Sequence, residues 1–290
     1  MHRLRHTAVF LLAACFVIVA FGQRHASAQG LIWRLSPKEN FRVVYYGSYV
    51  QVDQPARAGA KVPVVKRELI VKSLKKAKGY FDGKEVDCRW LEISVETGVI
   101  VGGEIKKINS GPGAKRIYKV LVPEEKIVGD WKDAQDVFVS MLPIATDKTG
   151  KKVMGVMKIG NSPEKPIKSP VLQVYPMLTL LQHYRKPTVT VGQGSITIAG
   201  KKITGFKNYK ATQTIESRSS RSTSTAEFIV TDGTDQIPTG LGKWTVTLVR
   251  EEKNSSQSRG EFKVVTTITT TLEAREITFG DATSDLKDIP

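Results

Sequence analysis

Hydrophobic and polar residues alternate along most of this chain with the period of two that belongs to β-strands. Val86 to Glu96 shows the pattern: Leu91, Ile93 and Val95 fall on one face, and Glu92, Ser94 and Glu96 on the other. Phe41 to Val52 (FRVVYYGSYVQV) is rich in β-branched and aromatic residues, with Gly47 placed for a bulge. Arg67 to Lys76 (RELIVKSLKK) alternates in part. Asp82-Gly83, after it, is a favoured pair for a two-residue type I′ hairpin. Arg116 to Val122 predicts a strand that stops at Pro123-Glu124-Glu125, and Val153 to Ile159 predicts another.

The second half is β throughout. Strands are expected at Thr188–Val191, Ser195–Ile198, Tyr209–Ser217, Ser224–Thr231, Lys243–Arg250 and Glu261–Thr278. Trp244, Val246 and Leu248 share one face, and the threonine-rich Phe262–Leu272 suits a long strand with a partly wet side. The best helix is Tyr175 to Arg185, where Met177, Leu178, Leu181 and Tyr184 recur at helical spacing. Pro176 suits its first turn, Arg185 and Lys186 its C-terminus, and Pro187 ends it. Residues 131–170 are less legible. Trp131 to Leu142 fits a helix or a strand, and Asn161 to Pro170, with three prolines and two lysines, reads as a surface loop.

These elements predict a mainly β fold of antiparallel sheets, half-barrel or sandwich-like, with one or two short helices and two domains. The expected divisions are residues 29–186, with the helix near 175–185, then 187–280, then a frayed tail over 281–290. Residues 1–28 stand apart as a secretory signal peptide. Arg3 and Arg5 give the basic start, Ala8 to Phe21 is an apolar run of 14 residues, and Ala26-Ser27-Ala28 has the small-residue cleavage pattern. The run is short of the roughly 20 residues that span a bilayer. Cleavage is expected before Gln29, placing the protein in the periplasm or outside the cell. In the alternative, Leu12-Ala13-Ala14-Cys15 supplies a lipoprotein signal and the protein is anchored through Cys15.

The full chain carries 44 Lys+Arg against 28 Asp+Glu, a net charge of +16. The leader takes three cations and no acid with it, leaving +13. Outside the cytoplasm that charge favours anionic envelope surfaces over nucleic acid, so no nucleic-acid partner is expected. Cys88 is the one cysteine after the leader, so no internal disulfide forms and the core must suffice by itself. Cys88 lies within a strand-like run, with Arg89 pointing to the opposite face, and reads as a buried structural residue.

Catalytic patterns are scarce. The one histidine after the leader is His183, which rules out histidine-based metal clusters, and neither C-x-x-C nor G-x-S-x-G occurs. Ser73-Leu-Lys-Lys76 and Lys148-Thr149-Gly150 match two of the three elements of penicillin-binding enzymes, but Ser73 falls in a strand where that chemistry needs a helix start. Asp232 and Asp235 offer two carboxylates where calcium needs six to eight oxygens. No catalytic residue, metal site or cofactor is expected, and the protein reads as non-enzymatic.

The order of FRVVYYGSYVQV, RELIVKSLKK, the Asp-Gly turn, DCRWLEISVE and RIYKVLVPEEKI resembles the antiparallel meander of the lipoprotein-localisation carrier superfamily (LolA/LolB-like), over about residues 40–185. The resemblance implies a half-open barrel closed by helices, with an apolar hollow for acyl chains. It rests on strand order and carries over no ligand residue. On that expectation the first half binds a lipid or another apolar or amphipathic envelope component, with Tyr45, Tyr46, Trp90, Tyr118, Leu178 and Leu181 as wall residues. The same residues also suit a filled core. The alternative is a structural or protein-interaction module of the envelope with no ligand pocket.

Overall fold

The computed structural model describes residues 31–32, 40–55, 64–101, 104–107, 114–127, 138–139, 141–173, 188–231, 236–280 and 282–287. The expected signal peptide, the helix at 175–185 with His183, and Asp232 and Asp235 lie outside the described residues.

The fold is mainly β. Its strands are β1 (Leu31–Ile32), β2 (Phe41–Asp53), β3 (Val64–Phe81), β4 (Lys84–Val101), β5 (Glu104–Lys107), β6 (Arg116–Pro123), β7 (Phe138–Val139), β8 (Met141–Pro143) and β9 (Gly155–Ile159). They continue as β10 (Lys165–Pro166), β11 (Val171–Gln173), β12 (Thr188–Val191), β13 (Ser195–Ile198), β14 (Lys201–Thr204), β15 (Phe206–Glu216), β16 (Ser220–Thr231), β17 (Leu241–Glu252) and β18 (Lys263–Phe279). Helical structure among the described residues consists of two 3₁₀ turns, Glu124–Lys126 and Arg259–Glu261.

One antiparallel sheet dominates, in the order β10-β9-β6-β4-β3-β2-β18-β17-β16-β15-β12, with β5 added beside β4. Its end strands β10 and β12 do not pair with each other, so the sheet is open. Neighbouring strands join through turns written in the sequence. Asp82 and Gly83 both adopt positive φ, 51° and 75°, as the type I′ hairpin between β3 and β4 requires. Because β18 pairs along β2 from Phe41↔Phe279 to Asp53↔Thr266, the sheet continues from the first half of the chain into the second.

The register sorts the residues onto two faces. On the front, one row runs Tyr209, Phe228, Trp244, Leu272, Gly47, Arg67 across six strands. Beside it lie Tyr45, Leu69 and Val95, and further rows add Val43, Val71 and Ile93. This face carries the main core, covered by Leu142 and Leu172 of the β8–β11 pair in the first half and by Ile198, Ile203 and Ile237 in the second. The Tyr45 and Trp244 rings pack at 5.2 Å. The Tyr45 hydroxyl donates to Leu241 O at 2.9 Å and shares a hydrogen bond with Thr239.

The back differs between halves. In the second half it is a threonine field, with Thr212, Thr225, Thr247 and Thr269 aligned across four strands and half-buried or exposed. In the first half it is packed: Leu74, Cys88, Trp90, Leu121 and Ala145 form one cluster, and Ile117, Val156 and Leu286 another. The second cluster involves part of the stretch 281–290 that was expected to fray. Residues 282–287 lie on this back face, and Leu286 is buried there.

Gly47 sets how closely β2 and β18 approach. A Cβ built there would fall 1.7 Å from Thr271 O, a backbone atom with no freedom to yield. Gly47→Ala is therefore expected to cost more than about 3 kcal/mol of stability, as overpacking against backbone does at the upper end. Tyr45→Phe should cost a smaller amount, about 1–2 kcal/mol, for the buried acceptor it strands. Urea unfolding of both variants checks the order. An unchanged midpoint for Gly47→Ala would mean that β2 and β18 do not pair in this way.

Candidate functional site

The expected wall residues do not share one surface. Tyr45 and Tyr46 are consecutive on a strand and so point to opposite faces. Tyr45 is fully buried in the front core, and burial pushes its phenol far above the usual tyrosine value. Tyr46 is 41% exposed on the back, where its hydrogen bond to the Glu68 carboxylate is the main cause of a pKa pushed up to about 12. Trp90 is buried in the back cluster beneath the tail, with the Lys119 ammonium 5.6 Å from its ring centroid. Tyr118 lies on the front with Tyr45 and lines a groove. Leu178 and Leu181 lie outside the described residues.

The groove on the front of the outer strands has a volume of about 680 Å³, larger than hollows of about 400, 370 and 270 Å³ elsewhere on the protein. Its floor is built in register, with Tyr118 of β6 opposite Met157 of β9, and Met157 opposite Lys165 of β10. Ile167, Val171 and Leu172 form the apolar wall, and Lys165 and Lys168 stand exposed at the rim.

Local sequence explains why this wall exists. Gly155 has no side chain, and a Cβ there would press on Ile167 at 3.1 Å, so Ile167 folds down onto the strand in its place. The Ile167 N–H donates to Gly155 O at 2.9 Å, which fixes that approach. Ser169 then turns the chain into β11: its hydroxyl donates to Val171 O at 2.9 Å and accepts from Val171 N–H at 3.3 Å. Sequence reasoning missed Met157, Ile167, Val171 and Leu172. The segment 161–170 looks like a polar loop by composition, and a single isoleucine between two prolines is a weak signal of a buried anchor.

Ser73 is fully buried within β3, and Lys148-Thr149-Gly150 is an exposed turn. There the Thr149 hydroxyl donates to Asp147, and the Lys151 and Lys152 N–H groups donate to the same carboxylate. That turn holds Asp147 below the usual carboxylate range, the Lys152 N–H being the largest cause. Among the described residues no group of three His, Cys, Asp or Glu could hold a metal. Among them also, no helix is long and apolar enough to cross a membrane.

Comparison with known proteins adds no family. No family model matches the chain, and no curated protein matches it. Among solved structures it is similar to one described as "Lipid-protein interactions in lipovitellin", with a TM-score of 0.36 and 9% sequence identity. The match covers 88% of this chain and 27% of the other, so this chain spans about a quarter of that protein's length.

Cys88 is buried, and desolvation pushes its thiol up to about 11, with the Asp87 and Glu124 charges adding to the shift. At pH 8 the thiolate is then about one part in a thousand, against about a quarter for an unperturbed cysteine. Iodoacetamide at pH 8 should label the folded chain at least about a hundredfold more slowly than the urea-unfolded chain. Equal rates would show that the thiol is open to solvent.

Proposed function

We propose that this is an exported protein that binds an anionic amphipath, an acyl chain with a negatively charged head, in the front groove. The observation that carries this reading is the composition of the groove: Tyr118, Met157, Ile167 and Leu172 form an aliphatic and aromatic trough, with Lys165 and Lys168 at its mouth. A trough of about 680 Å³ lies within the ordinary size range of small-molecule sites, which combine apolar walls with a few placed polar groups.

The energetics favour such a ligand. Each methylene taken from water contributes about 0.8 kcal/mol, so the apolar chain supplies most of the affinity. The lysines supply direction, each worth about 1 kcal/mol toward an anionic head near a surface. The net charge of +13 that remains after the leader adds long-range attraction of the same sign. Export is supported by the basic start, the apolar run Ala8–Phe21 and the Ala26-Ser27-Ala28 site. The carrier-like strand order of the first half agrees with an acyl ligand.

Native mass spectrometry of the chain purified from an exported fraction, followed by organic extraction, tests the binding. A lipid or fatty acid is expected at one per chain. Met157→Arg, which places a charge in the trough, should weaken binding of added lysophospholipid by at least about tenfold. Replacing Lys165 and Lys168 with glutamate should lower affinity for anionic amphipaths and spare neutral ones. A chain whose mass never changes on incubation with fatty acids or lysophospholipids would leave the groove without this role.

A further inference from the structure

On the back of the sheet, opposite the groove, the segment 282–287 is held over a row of buried charges, bent at Asp285 and Leu286, where the Ser284 hydroxyl accepts from the Leu286 N–H at 3.2 Å. Beneath it, three charged residues align across neighbouring strands: Lys72 of β3 opposite Glu92 of β4, and Glu92 opposite Lys119 of β6. All three are nearly inaccessible, at 6%, 1% and 2% exposure. Lys72 Nζ donates to Thr283 O at 3.0 Å, to Glu92 Oε1 at 2.8 Å and to Asp285 Oδ1 at 2.9 Å. Glu92 Oε2 accepts from the Ser284 hydroxyl at 2.7 Å and from the Asp285 N–H at 2.9 Å. Lys119 Nζ reaches Leu286 O at 3.4 Å and Lys287 O at 3.3 Å. Leu286 anchors the segment between Ile117 and Val156.

Covering a sheet face needs none of this polarity. Apolar residues in the same row would close the face without the desolvation cost of buried ions. The three charged side chains instead contact main-chain groups of the segment, so they select a backbone path rather than merely cover a face. Charge complementarity points the same way. Residues 281–290 hold three aspartates and one lysine on a chain of net charge +16, and the row beneath them holds two lysines to one glutamate. The segment also underfills its seat. A hollow of about 370 Å³ remains between it and the sheet, lined by Leu74, Lys75, Trp90, Lys119 and Ser284. Gly280, at φ 95°, turns the chain from β18 toward the seat.

We propose that this seat is a docking site for an acidic segment of a partner protein, of the pattern hydroxyl–acid–aliphatic, and that residues 282–287 occupy it as an internal competitor. A partner segment with larger side chains fills the hollow beside Trp90 that the internal segment leaves. Binding therefore requires release of the chain's own segment.

The probe is a fluorescein-labelled peptide with the sequence of residues 281–290, followed by anisotropy. It is titrated with the full chain and with a full chain carrying Asp285→Ala and Leu286→Asp, which loosen the internal segment. The loosened chain should bind saturably and at least about tenfold more tightly than the unaltered chain. Peptides carrying Asp285→Asn or Leu286→Ala should each bind the loosened chain at least about tenfold more weakly. The leucine peptide matters because non-specific attraction between charges would leave it unaffected. A loosened chain that is folded by circular dichroism and does not bind the peptide overturns the proposal. Light scattering showing that the loosened chain dimerises without peptide overturns the partner assignment in favour of a second copy. Should the loosened chain fail to fold, hydrogen exchange of the unaltered chain decides. Excess peptide should speed exchange of 282–287, and unchanged protection overturns the proposal.

Discussion

The pairing of β2 with β18 is the constraint on which the rest of the structure depends. It brings together residues as distant in sequence as Arg42 and Glu276, 234 positions apart. Closing so long a loop adds little entropy beyond that of a shorter one, since the cost grows only with the logarithm of length. What the pairing needs is a fixed register, and the contacts around Tyr45 supply it. Its ring packs on Trp244 and its hydroxyl is held by Leu241 and Thr239, all from the second half. A slip of one residue would send Tyr45 to the back and Tyr46 into the core. The slip would also place a side chain where only Gly47 fits. Ala274, directly opposite Tyr45, is small enough to leave room for the indole.

Once the register is set, the buried charges follow from it. Lys72, Glu92 and Lys119 meet on the back because the strands that carry Val71, Ile93 and Tyr118 align those three on the front. Arg89 is likewise fully buried, and its guanidinium is satisfied by Glu124, with Nη2 and Nε at 2.7 and 3.1 Å from Oε1. Glu124 opens the 3₁₀ turn where Pro123 ends β6, so the turn that stops the strand also neutralises the cation beside it. Such pairs add little net stability over apolar residues of equal size, but losing one partner is expensive. They therefore penalise wrong alignments more than they strengthen the right one.

The strands were legible in the sequence because alternation and β-branched residues report a pleated, half-buried surface directly. Thr188–Val191 and Ser195–Ile198 match at both ends, and Asp82-Gly83 forms the expected turn. That β2 and β18 would be neighbours was not legible, since nothing local in Phe41–Asp53 marks Lys263–Phe279 as its partner. The candidate site shows the same division. Tyr118 could be picked out as an aromatic on a strand, whereas Ile167 and Leu172 act through contacts made after the loop folds back onto Gly155. The seat of residues 282–287 was not legible for a related reason. Residues 282–287 have the small, polar composition of a frayed end, and their anchors, Glu92 and Lys72, lie some 190 to 210 positions earlier.

Tyr45 and Tyr118 belong to the same face, yet one is core and the other lines an open groove. The difference lies in how much sheet surrounds each. Tyr45 stands on a strand of 13 residues, between strands of 18 and 17. Layers from both halves of the chain meet above it. Toward the other edge the strands shorten, to 8 residues in β6, 5 in β9 and 2 in β10. A covering layer that packs fully over the long strands overhangs the short ones, and Ile167, Val171 and Leu172 are left facing Tyr118 and Met157 across a gap. Pro166 closes that edge to further pairing, because it has no N–H to offer another strand. A tapering sheet with a blocked edge thus yields a filled centre and an apolar trough at its margin from one alternating pattern.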